Sequence, residues 1–501
     1  MSIVSRPSRV VSLVGGSIRP QLNPCLHPKP RLAQPWTGEP GTSGRAVVVG
    51  AGKMGLPLAV QFARHGWHVT AVDVRADAVA AINAGRSHVS GEPGLAEGVA
   101  DAHAAGLLDA TTDAATAVRG ADVAVLIVPV MLDEVQQPDY RYMDSAVDSI
   151  GGGVHAGLTV IFETTLPVGD TRGRFVPRLE AASGLRVESD FFVAFSPERL
   201  YSGAVFANLA TYPKLVGGVG PRSTGRAAAF YDAVLDAEIV AMSSSEAAEF
   251  SKIADTTYRD VNIALANDFA RYADRVGVDV QEVIDAANSQ PYSHIHQPGI
   301  GVGGHCIPVY PHLLLSRAPD LEVVAVSRRT NDAQVGLAIK ALETALGGLE
   351  DAAVLVLGVT YRAGVKELAY SRALPLIERL SFHGATVTAY DPLLSPEEIE
   401  RCCATPYEWG RPAPVRAIVT QTEDPLWQSL DFGLFESLEV VLDGRNSLRN
   451  VDLPAGVHYI GIGVQAATRR RNGSPTAAGA GTAAGAGSPA RTAAAAAAAK
   501  S

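Results

Sequence analysis

The stretch VVVGAGKMGLPLAVQF (47–62) decides the fold of the first half of the chain. Three valines form a β-branched run, and Gly50, Gly52 and Gly55 follow in GxGxxG spacing at the start of a helical pattern. Such glycines permit a tight turn and let a pyrophosphate approach a helix N-terminus. A second run, HVTAVDV, ends at Asp73, where a carboxylate could hold ribose hydroxyls. The stretch predicts a dinucleotide site; the alternative is that the glycines serve only strand–helix packing.

The residues after the second run indicate which dinucleotide is favoured. The Asp73 carboxylate favours NAD, because it would repel the 2′-phosphate of NADP. Arg75, two residues later, leaves NADP as the alternative. We therefore predict NAD as the cofactor.

Short apolar runs alternate with helical stretches on both sides of one long segment without Gly or Pro. The first set is AVVVG, HVTAVDV, VAVLIVPV, TVIFETT and DFFVAFSPE; the second is AAVLVLGV, ATVTAYDP, VRAIVTQ, LEVVLDGRN and HYIGIG. The segment between them, 243–276, predicts a helix of roughly 50 Å. We expect an α/β protein with two Rossmann-like doubly wound domains of parallel sheet, joined by a long central helix and a helical middle domain.

Composition excludes several classes of protein. The chain has 501 residues, is 47% hydrophobic and carries a net charge of −10. Because both ends are basic, the central region is more acidic still, which argues against nucleic-acid binding. No apolar run reaches the ~18 residues of a membrane span. Four cysteines without metal-ligand spacing predict a cytoplasmic protein with no metal site.

Polar side chains follow the predicted strands where open α/β sheets bind ligands. Glu163 and Thr165 lie in FETTLPVG, and Glu198 lies in FSPERLYSG. Taken alone, each is equally compatible with a surface loop.

The long helix carries a second polar group. Lys252, Thr256 and Arg259 stand at i, i+4 and i+7 and therefore share a face. This face could line a cleft for an anionic substrate; the alternative is a solvated face paired with Glu249 or Asp255.

The loop GIGVGGHCIPVYP (299–311) presents Cys306 between glycines and prolines. Glycines permit close backbone approach and prolines fix φ, so the loop has a defined shape. The alternatives to a chemical role are a buried structural thiol and, with nearby histidines, a metal ligand whose spacing fits no standard zinc pattern.

Together these motifs resemble the UDP-sugar 6-dehydrogenase family, which includes UDP-glucose and UDP-N-acetylhexosamine dehydrogenases. The resemblance covers nearly all of residues 45–463 and rests on ordered motifs, of which the cysteine loop is the most specific: GAGKMGLPLA, EPGL, FETTLPVG, SPERL, KLVGG, EFSKIADTTYRDVNIALAN, GVGGHCIP, LGVTYRAGVKE, YDP and LDGRN. It implies an NAD domain, a dimer contact on the long helix and a carboxy-terminal domain that binds UDP.

The resemblance also implies a reaction and its residues. A sugar C6 alcohol becomes a carboxylate in two oxidations with two NAD, and Cys306 holds the intermediates as a thiohemiacetal and then a thioester. By resemblance, Lys252 stabilises oxyanions, Thr165 positions water and Glu198 acts in thioester hydrolysis. Thr256 completes the expected catalytic set.

The expected binding residues follow from the same resemblance. The set for NAD comprises Gly50, Gly52, Lys53, Met54, Gly55, Asp73, Arg75, Pro129 and Thr165. The set for the UDP-sugar comprises Arg199, Leu200, Lys252, Arg259, Gly303, Tyr361, Arg362 and Arg445, with Lys214 of KLVGG a further candidate for the nucleotide-sugar side.

Four further residues refine the expected substrate and chemistry. Arg199 and Ile307, in SPERL and GGHCIPV, are similar to the branch that uses UDP-N-acetylmannosamine or UDP-N-acetylglucosamine. Two departures stand out, because the family commonly has Asn at the position of Thr256 and Asp at that of Tyr310. Thr256 can donate one hydrogen bond in place of the amide, and Tyr310 puts a phenol where the family's carboxylate is expected to partner the lysine and water.

The leading hypothesis is therefore an NAD-dependent UDP-N-acetylhexosamine 6-dehydrogenase that acts as a homodimer. The alternatives are a UDP-glucose 6-dehydrogenase, a nucleotide-sugar or NAD-binding protein without the full oxidation, and a two-electron hydroxyacid dehydrogenase. The predicted divisions are a disordered extension at 1–43, an NAD-binding domain at 44–220, a central helical domain for catalysis and dimerisation at 221–345, a UDP-sugar-binding domain at 346–463, and a disordered Ala/Gly-rich tail at 464–501.

Overall fold

The computed structural model describes residues 44–201 and 203–464, in which two sheet units flank a helical middle. The ends predicted to be disordered lie outside these residues, except for Val464, which is buried. The predicted fold class is confirmed: two Rossmann-like units joined through a long helix.

The first unit is built on an eight-stranded sheet with helices on both faces. Its strands, with the small hairpin β5–β6, are β1 (Arg45–Val49), β2 (His68–Val72), β3 (Leu108–Thr111), β4 (Val123–Leu126), β5 (Met131–Leu132), β6 (Pro138–Asp139), β7 (Thr159–Phe162), β8 (Phe192–Phe195), β9 (Lys214–Gly218) and β10 (Ile239–Ala241). Its helices are α1 (Gly55–Arg64), α2 (Ala76–Asn83), α3 (Leu95–Ala104), α4 (Ala114–Arg119), α5 (Arg141–Gly151), a π-helical turn (Thr171–Phe175), α6 (Val176–Ser183), α7 (Val205–Thr211) and α8 (Pro221–Val234).

The strand order in this sheet is β10-β9-β8-β7-β4-β1-β2-β3. Alternate residues of β1 face opposite layers: Val48 packs with Phe62 of α1, whereas Val47 and Val49 pack in the other layer. The β8–β9 pair is antiparallel, which is a departure from the parallel sheet that the sequence predicted. The chain turns back after α7 and enters the sheet again as β9 beside β8, so these two strands run in opposite directions.

The first unit continues beyond the boundary predicted at residue 220. Strand β10 pairs with β9 in parallel register, and α8 contributes Phe230 and Tyr231 to the core against the sheet. The predicted boundary therefore falls inside this unit, because α8 and β10 bury their apolar residues against its sheet rather than against the central helices.

The middle consists of α9 (Ser245–Val276), α10 (Val280–Asn288), α11 (Tyr310–Leu315) and α12 (Glu322–Leu346). The Ser244 hydroxyl accepts from the Ala247 amide at the start of α9, and Gly277 ends the helix with φ +75°. Helices α9 and α12 pack together around a buried ion pair between Asp260 and Arg328. The long predicted helix is thus confirmed with its first residue at Ser245.

The second unit has a six-stranded parallel sheet in the order β13-β12-β11-β14-β15-β16. The strands are β11 (Ala353–Leu357), β12 (Thr386–Tyr390), β13 (Thr405–Pro406), β14 (Ala417–Thr420), β15 (Val440–Asp443) and β16 (His458–Gly461). The helices are α13 (Ala373–Phe382), α14 (Pro396–Glu400) and two 3₁₀ turns (Pro425–Ser429 and Phe432–Leu434). Among the described residues, none of the helices is both long enough and apolar enough to cross a bilayer.

Candidate active site

The turn between β1 and α1 has the geometry that dinucleotide binding requires. Gly50 has φ +100°, and a Cβ there would lie 2.8 Å from the Ile127 carbonyl oxygen. A Cβ on Gly55 would lie 1.8 Å from the Gly50 carbonyl oxygen, so strand–helix packing requires this glycine. A Cβ on Gly52, in contrast, would meet no protein atom within 4 Å. Packing therefore does not explain Gly52, and the space beside it suits a ligand that approaches the backbone.

Asp73 stands at the end of β2 beside this turn. One of its carboxylate oxygens accepts from the Ala51 amide at 3.0 Å and the other from the Arg75 amide at 2.9 Å. These bonds fix the carboxylate at the edge of the turn, where it can reach a ribose. The Arg75 guanidinium is paired with Asp77 instead, with Nε 3.2 Å from Oδ1.

The remaining predicted cofactor residues surround the same turn. Met54 precedes α1 and packs against the core, and Pro129 follows β4 at an exposed position. Lys53 reaches across to the second unit, with its ammonium 2.7 Å from Glu367. The turn is therefore in direct contact with the carboxy-terminal sheet unit.

The Cys306 thiol lies where the first unit and the middle meet. It donates to the hydroxyl oxygen of Tyr310, with sulfur and oxygen 3.5 Å apart, and Thr165 lies beside the same hydroxyl. The Lys252 ammonium lies 5.9 Å from the centre of the Tyr310 ring. The segment after β7, helix α9 and the cysteine loop thus place Thr165, Lys252 and Cys306 around Tyr310.

Burial shapes the charges of this group. Desolvation lowers the pKa of Lys252, whose side chain is 7% exposed, while Cys306 and Glu198 act in the opposite direction. Desolvation raises the pKa of Tyr310, because burial disfavours the charged form of either group. The phenol therefore stays protonated and can donate or accept a hydrogen bond. A positive charge beside a thiol and a carboxylate suits chemistry in which negative charge develops on oxygen.

Glu198 follows β8 and faces the same group from the first unit. Desolvation raises its pKa to about 7, Lys214 lowers it and Glu163 raises it. Lys214 was expected on the nucleotide-sugar side. Its ammonium instead lies 3.0 Å from Glu163 and 3.8 Å from Glu198, because β9 runs beside β8 in the first sheet.

The polar face of α9 and His296, in the loop that follows α10 and bonds to α9, carry polar atoms without hydrogen-bond partners in the described part of the chain. Among the described residues, Oγ1 of Thr256, Nε of Arg259 and Nε2 of His296 are buried and make no hydrogen bond. Arg259 contacts the Tyr201 hydroxyl through Nη1 at 3.2 Å, and its other amino group lies 3.9 Å from Asp255. Buried polar groups normally have partners, so this face is suited to a polar ligand.

Two predicted substrate residues lie in the loop after β8. The Arg199 guanidinium donates to the carbonyl oxygen of Pro213. The Leu200 amide donates to Oε1 of Glu198 at 2.6 Å. Leu200 therefore orients the carboxylate through its backbone, and one end of Arg199 is engaged by the protein itself.

The glycines of the cysteine loop serve a contact that the sequence did not indicate. Their expected role was to permit close backbone approach. A Cβ on Gly299 would lie 2.9 Å from Arg445, and one on Gly303 would lie 3.0 Å from Tyr361. These glycines let the loop lie against the second unit, where Gly299 meets Arg445 and Gly303 meets Tyr361. Arg362, next to Tyr361, is exposed.

Sequence analysis missed several residues that position this site. The Glu249 carboxylate accepts from the Gly169 and Thr171 amides at 2.6 and 2.9 Å, which fixes the segment that follows Thr165. Asn267 accepts from the Gly299 amide at 2.9 Å and so ties the cysteine loop to α9. Glu249 and Asn267 both lie in the long helix, and a buried polar residue on a helical face is the signal that could have found them.

The comparisons with known proteins cover all three parts of the chain. Three models of the UDP-glucose/GDP-mannose dehydrogenase family match: the NAD-binding domain at 44–235, the central domain at 246–333 and the UDP-binding domain at 355–450. The UDP-N-acetyl-D-mannosamine dehydrogenase of Pyrococcus horikoshii is 34% identical over 429 residues, which cover 84% of this chain and 99% of the relative. The Yersinia pestis enzyme of the same name is 37% identical over 292 residues, covering 57% and 68%.

Solved structures give the same result. The P. horikoshii UDP-D-ManNAc dehydrogenase superposes with a TM-score of 0.76 at 33% identity, covering 84% of this chain and 99% of that one. A UDP-glucose dehydrogenase from Pyrobaculum islandicum superposes with a TM-score of 0.75 at 26% identity, covering 86% and 100%.

The fold and the site define an NAD-dependent dehydrogenase. The chain belongs to the UDP-glucose/GDP-mannose dehydrogenase family. It is an NAD-dependent UDP-sugar dehydrogenase, with NAD as cofactor and a UDP-binding domain at the carboxy-terminal end.

Proposed function

We propose that this enzyme oxidises the C6 alcohol of a UDP-N-acetylhexosamine, UDP-N-acetylmannosamine or its gluco epimer, to the uronic acid in a four-electron reaction. The observation that carries the proposal is the position of the Cys306 thiol, which touches Tyr310 beside Lys252 and within the group that contains Glu198. A two-electron alcohol dehydrogenase has no use for such a thiol. NAD, when bound, accepts the hydride in each oxidation.

Cys306 would retain the substrate between the two oxidations. Its sulfur bonds to the carbon of the C6 aldehyde and the S–H proton passes to the aldehyde oxygen, which gives a thiohemiacetal. The second oxidation leaves a thioester. Water then bonds to the thioester carbon and the sulfur leaves with the bonding electrons.

The surrounding side chains have roles that their positions support. The Lys252 ammonium stabilises the oxyanion that forms on the substrate, because it is buried close to Cys306. Glu198 takes a proton from the attacking water, and Thr165 with Tyr310 holds the thiol and orients that water. Thr256, whose hydroxyl has no partner among the described residues, is available to bind the sugar.

The substrate class rests on the polar face of α9 and on the relatives. Arg259 and His296 offer unpartnered buried nitrogens, which suit a sugar with an additional amide group. Relatives from P. horikoshii and Y. pestis carry the name UDP-N-acetyl-D-mannosamine dehydrogenase.

The assay that tests this proposal counts NADH formed for each UDP-sugar supplied. Two NADH for each UDP-N-acetylmannosamine or UDP-N-acetylglucosamine are expected. Turnover of UDP-glucose alone would instead assign the enzyme to UDP-glucose oxidation, and one NADH for each sugar would remove the four-electron reaction.

Substitution of Cys306 by Ser tests the covalent step. The overall oxidation should fall by roughly a thousandfold or more, as for other covalent nucleophiles. Cys403→Ser is the matched control, because Cys403 is an exposed free thiol in the second unit, and it should retain full activity. An active Cys306→Ser variant would return this thiol to a structural role. We also propose a cytoplasmic location, because a reducing compartment keeps a free thiol from forming disulfides; cell fractionation would check it.

We also propose that the enzyme is a homodimer formed through α9. Large apolar side chains stand exposed along this helix with helical spacing: Phe250, Tyr258, Leu265, Phe269, Tyr272 and Val276. A second copy of the chain would cover them. Tyr272→Glu should convert the dimer to a monomer in light scattering, whereas Phe382→Glu, at an exposed aromatic on α13, should leave it intact. A monomeric wild-type enzyme would remove the proposal.

A further inference from the structure

Glu198 lies above three buried side chains whose function the reaction described above leaves open. Glu163 follows β7 directly, Lys214 begins β9 and Tyr231 lies on α8. Their exposed fractions are 0%, 7% and 0%. With the carboxyl group of Glu198, the carboxyl group of Glu163, the ammonium of Lys214 and the phenol of Tyr231 therefore form one buried cluster.

The contacts in this cluster place the two carboxyl groups side by side. Lys214 Nζ lies 3.0 Å from Oε2 of Glu163 and 3.8 Å from Oε2 of Glu198. The Tyr231 hydroxyl donates to Oε1 of Glu163, and the Leu200 amide donates to Oε1 of Glu198. Both Oε1 atoms are therefore bonded to other groups, and the two Oε2 atoms face the same ammonium.

Within the described residues, these two Oε2 atoms have ion-pair contacts with Lys214 but no hydrogen bond of good geometry to it. Because both Oε2 atoms lie within 3.8 Å of the same Lys214 nitrogen, the two carboxyl groups are neighbours. A proton between Glu163 and Glu198 would satisfy both oxygens, since a protonated carboxyl is a donor and an ionised one is an acceptor.

Charge balance favours the same arrangement. Two carboxylates with one ammonium would bury a net negative charge, which is costly away from water. One added proton makes the cluster neutral. Carboxyl pairs in contact share a proton for this reason.

We propose that Glu163 is a positioning residue that shares one proton with Glu198 above Lys214, and so keeps Glu198 ready to accept a proton from the water that hydrolyses the thioester. This proposal rests on the function proposed above. Glu163 touches no reacting atom and acts only through Glu198. The Lys214 ammonium stabilises the ionised form of one of the two carboxyl groups.

Three other ionisable side chains act on Glu198 or lie near it. Lys252 of α9 acts on it through its charge, and the phenols of Tyr231 and Tyr310 lie within electrostatic range. Desolvation raises the pKa of Glu198 to about 7, Lys214 and Lys252 lower it, and Glu163 raises it. The two partners therefore act in opposite directions on one group.

Because Glu163 and Lys214 shift the pKa of Glu198 in opposite directions, the pH profile of the overall oxidation tests the proposal. Activity requires the carboxylate of Glu198, so activity falls as the pH drops through its pKa. Glu163→Gln removes a group that raises this pKa, so the acid limb should move about one pH unit lower. Lys214→Met removes a group that lowers it, so the acid limb should move higher by a similar amount.

The matched control is Phe230→Leu, next to Tyr231 on α8. Phe230 is buried against Phe62, Trp67 and the ring of Tyr231, and its side chain has no charge or polar atom that could act on the carboxyl groups. This variant should lower Tm without moving the acid limb. Shifts in the same direction in Glu163→Gln and Lys214→Met, or equal shifts in the control, would overturn the proposal.

A second measurement separates this proposal from the proposed function. The carboxyl ¹³C resonance of Glu198, identified by its loss in Glu198→Gln, should titrate near pH 7 in the wild type and at lower pH in Glu163→Gln. Titration in the ordinary carboxyl range in the wild type would overturn the shared proton, whatever the enzyme oxidises. Titration near pH 7 in the wild type, with no oxidation of any UDP-sugar, would instead remove the proposed function alone.

Discussion

The two Rossmann-like units place an aspartate at the same point and use it differently. Asp73 follows β2 in the first unit, and Asp391 follows β12 in the second. Asp73 accepts two backbone amides and remains partly exposed. Asp391 is 3% exposed, and its Oδ2 accepts from the Val359 and Thr360 amides and from the Thr360 hydroxyl. The first carboxylate is left available to a ligand, and the second one is occupied by the protein.

The glycine after the first strand of each unit repeats this contrast. Gly50 and Gly358 both have positive φ, +100° and +88°. Beyond Gly50 the turn reaches Gly52, which has open space at its Cβ position. A Cβ on Gly358 would lie 2.0 Å from Oγ1 of Thr422. The same strand–turn framework is thus open in one unit and filled in the other, so similar topology does not imply a second dinucleotide site.

The largest expected effect is a loss of stability from a substitution in the turn after β11, which Thr422 fills. Gly358→Ala should destabilise the protein by roughly 2–4 kcal/mol, because the new methyl group meets Thr422 and φ is positive. Gly364→Ala, in the same unit with φ +75° and open space, should cost only about 1 kcal/mol. Urea denaturation measures both. Equal losses would show that the turn is not packed as described.

A substitution in the turn after β1 should change the affinity for NAD rather than the stability of the protein. Gly52→Ala should leave Tm unchanged, because its methyl group meets no protein atom, and should weaken NAD binding by roughly tenfold or more. Calorimetric titration with NAD measures the affinity. Gly120→Ala is the control in the same unit, since it too has open space but ends α4 instead. Unchanged NAD affinity in Gly52→Ala would contradict the role assigned to this turn.

The smallest effect concerns the link between the two units. Lys53 of the open turn pairs with Glu367 of the second unit, with side chains 53% and 23% exposed. A double-mutant cycle with Lys53→Met and Glu367→Gln should give a coupling energy of about 0–1 kcal/mol that shrinks in high salt. Denaturation at two salt concentrations provides the measurement. A coupling energy several times larger would show that this pair holds the units together.

Local patterns predicted most of the elements. The β-branched runs form the predicted strands, because apolar alternation and run length depend only on consecutive residues. The segment without Gly or Pro forms α9, because Ser244 caps it and Gly277 ends it. The boundary predicted at residue 220 took no account of β10, because no local pattern records its pairing with β9 in the first sheet.

The candidate site was predicted less evenly. Thr165, Lys252 and Cys306 were expected together and lie around Tyr310. Lys214 was expected at the nucleotide sugar and lies instead against Glu163 and Glu198. The difference is physical, because a helix fixes which residues share its face, whereas the neighbour of a strand depends on the order of strands in the sheet.

The sequence by itself determined the two glycine turns, the long helix and a thiol held in a shaped loop, since each depends on the backbone preferences of residues close in the chain. Only the tertiary structure decided that the loop glycines lie against Arg445 and Tyr361, that Tyr310 contacts the thiol, and that two carboxyl groups meet over one lysine. These contacts join residues far apart in the chain, and burial, which sets their charges, exists only once the units have packed together.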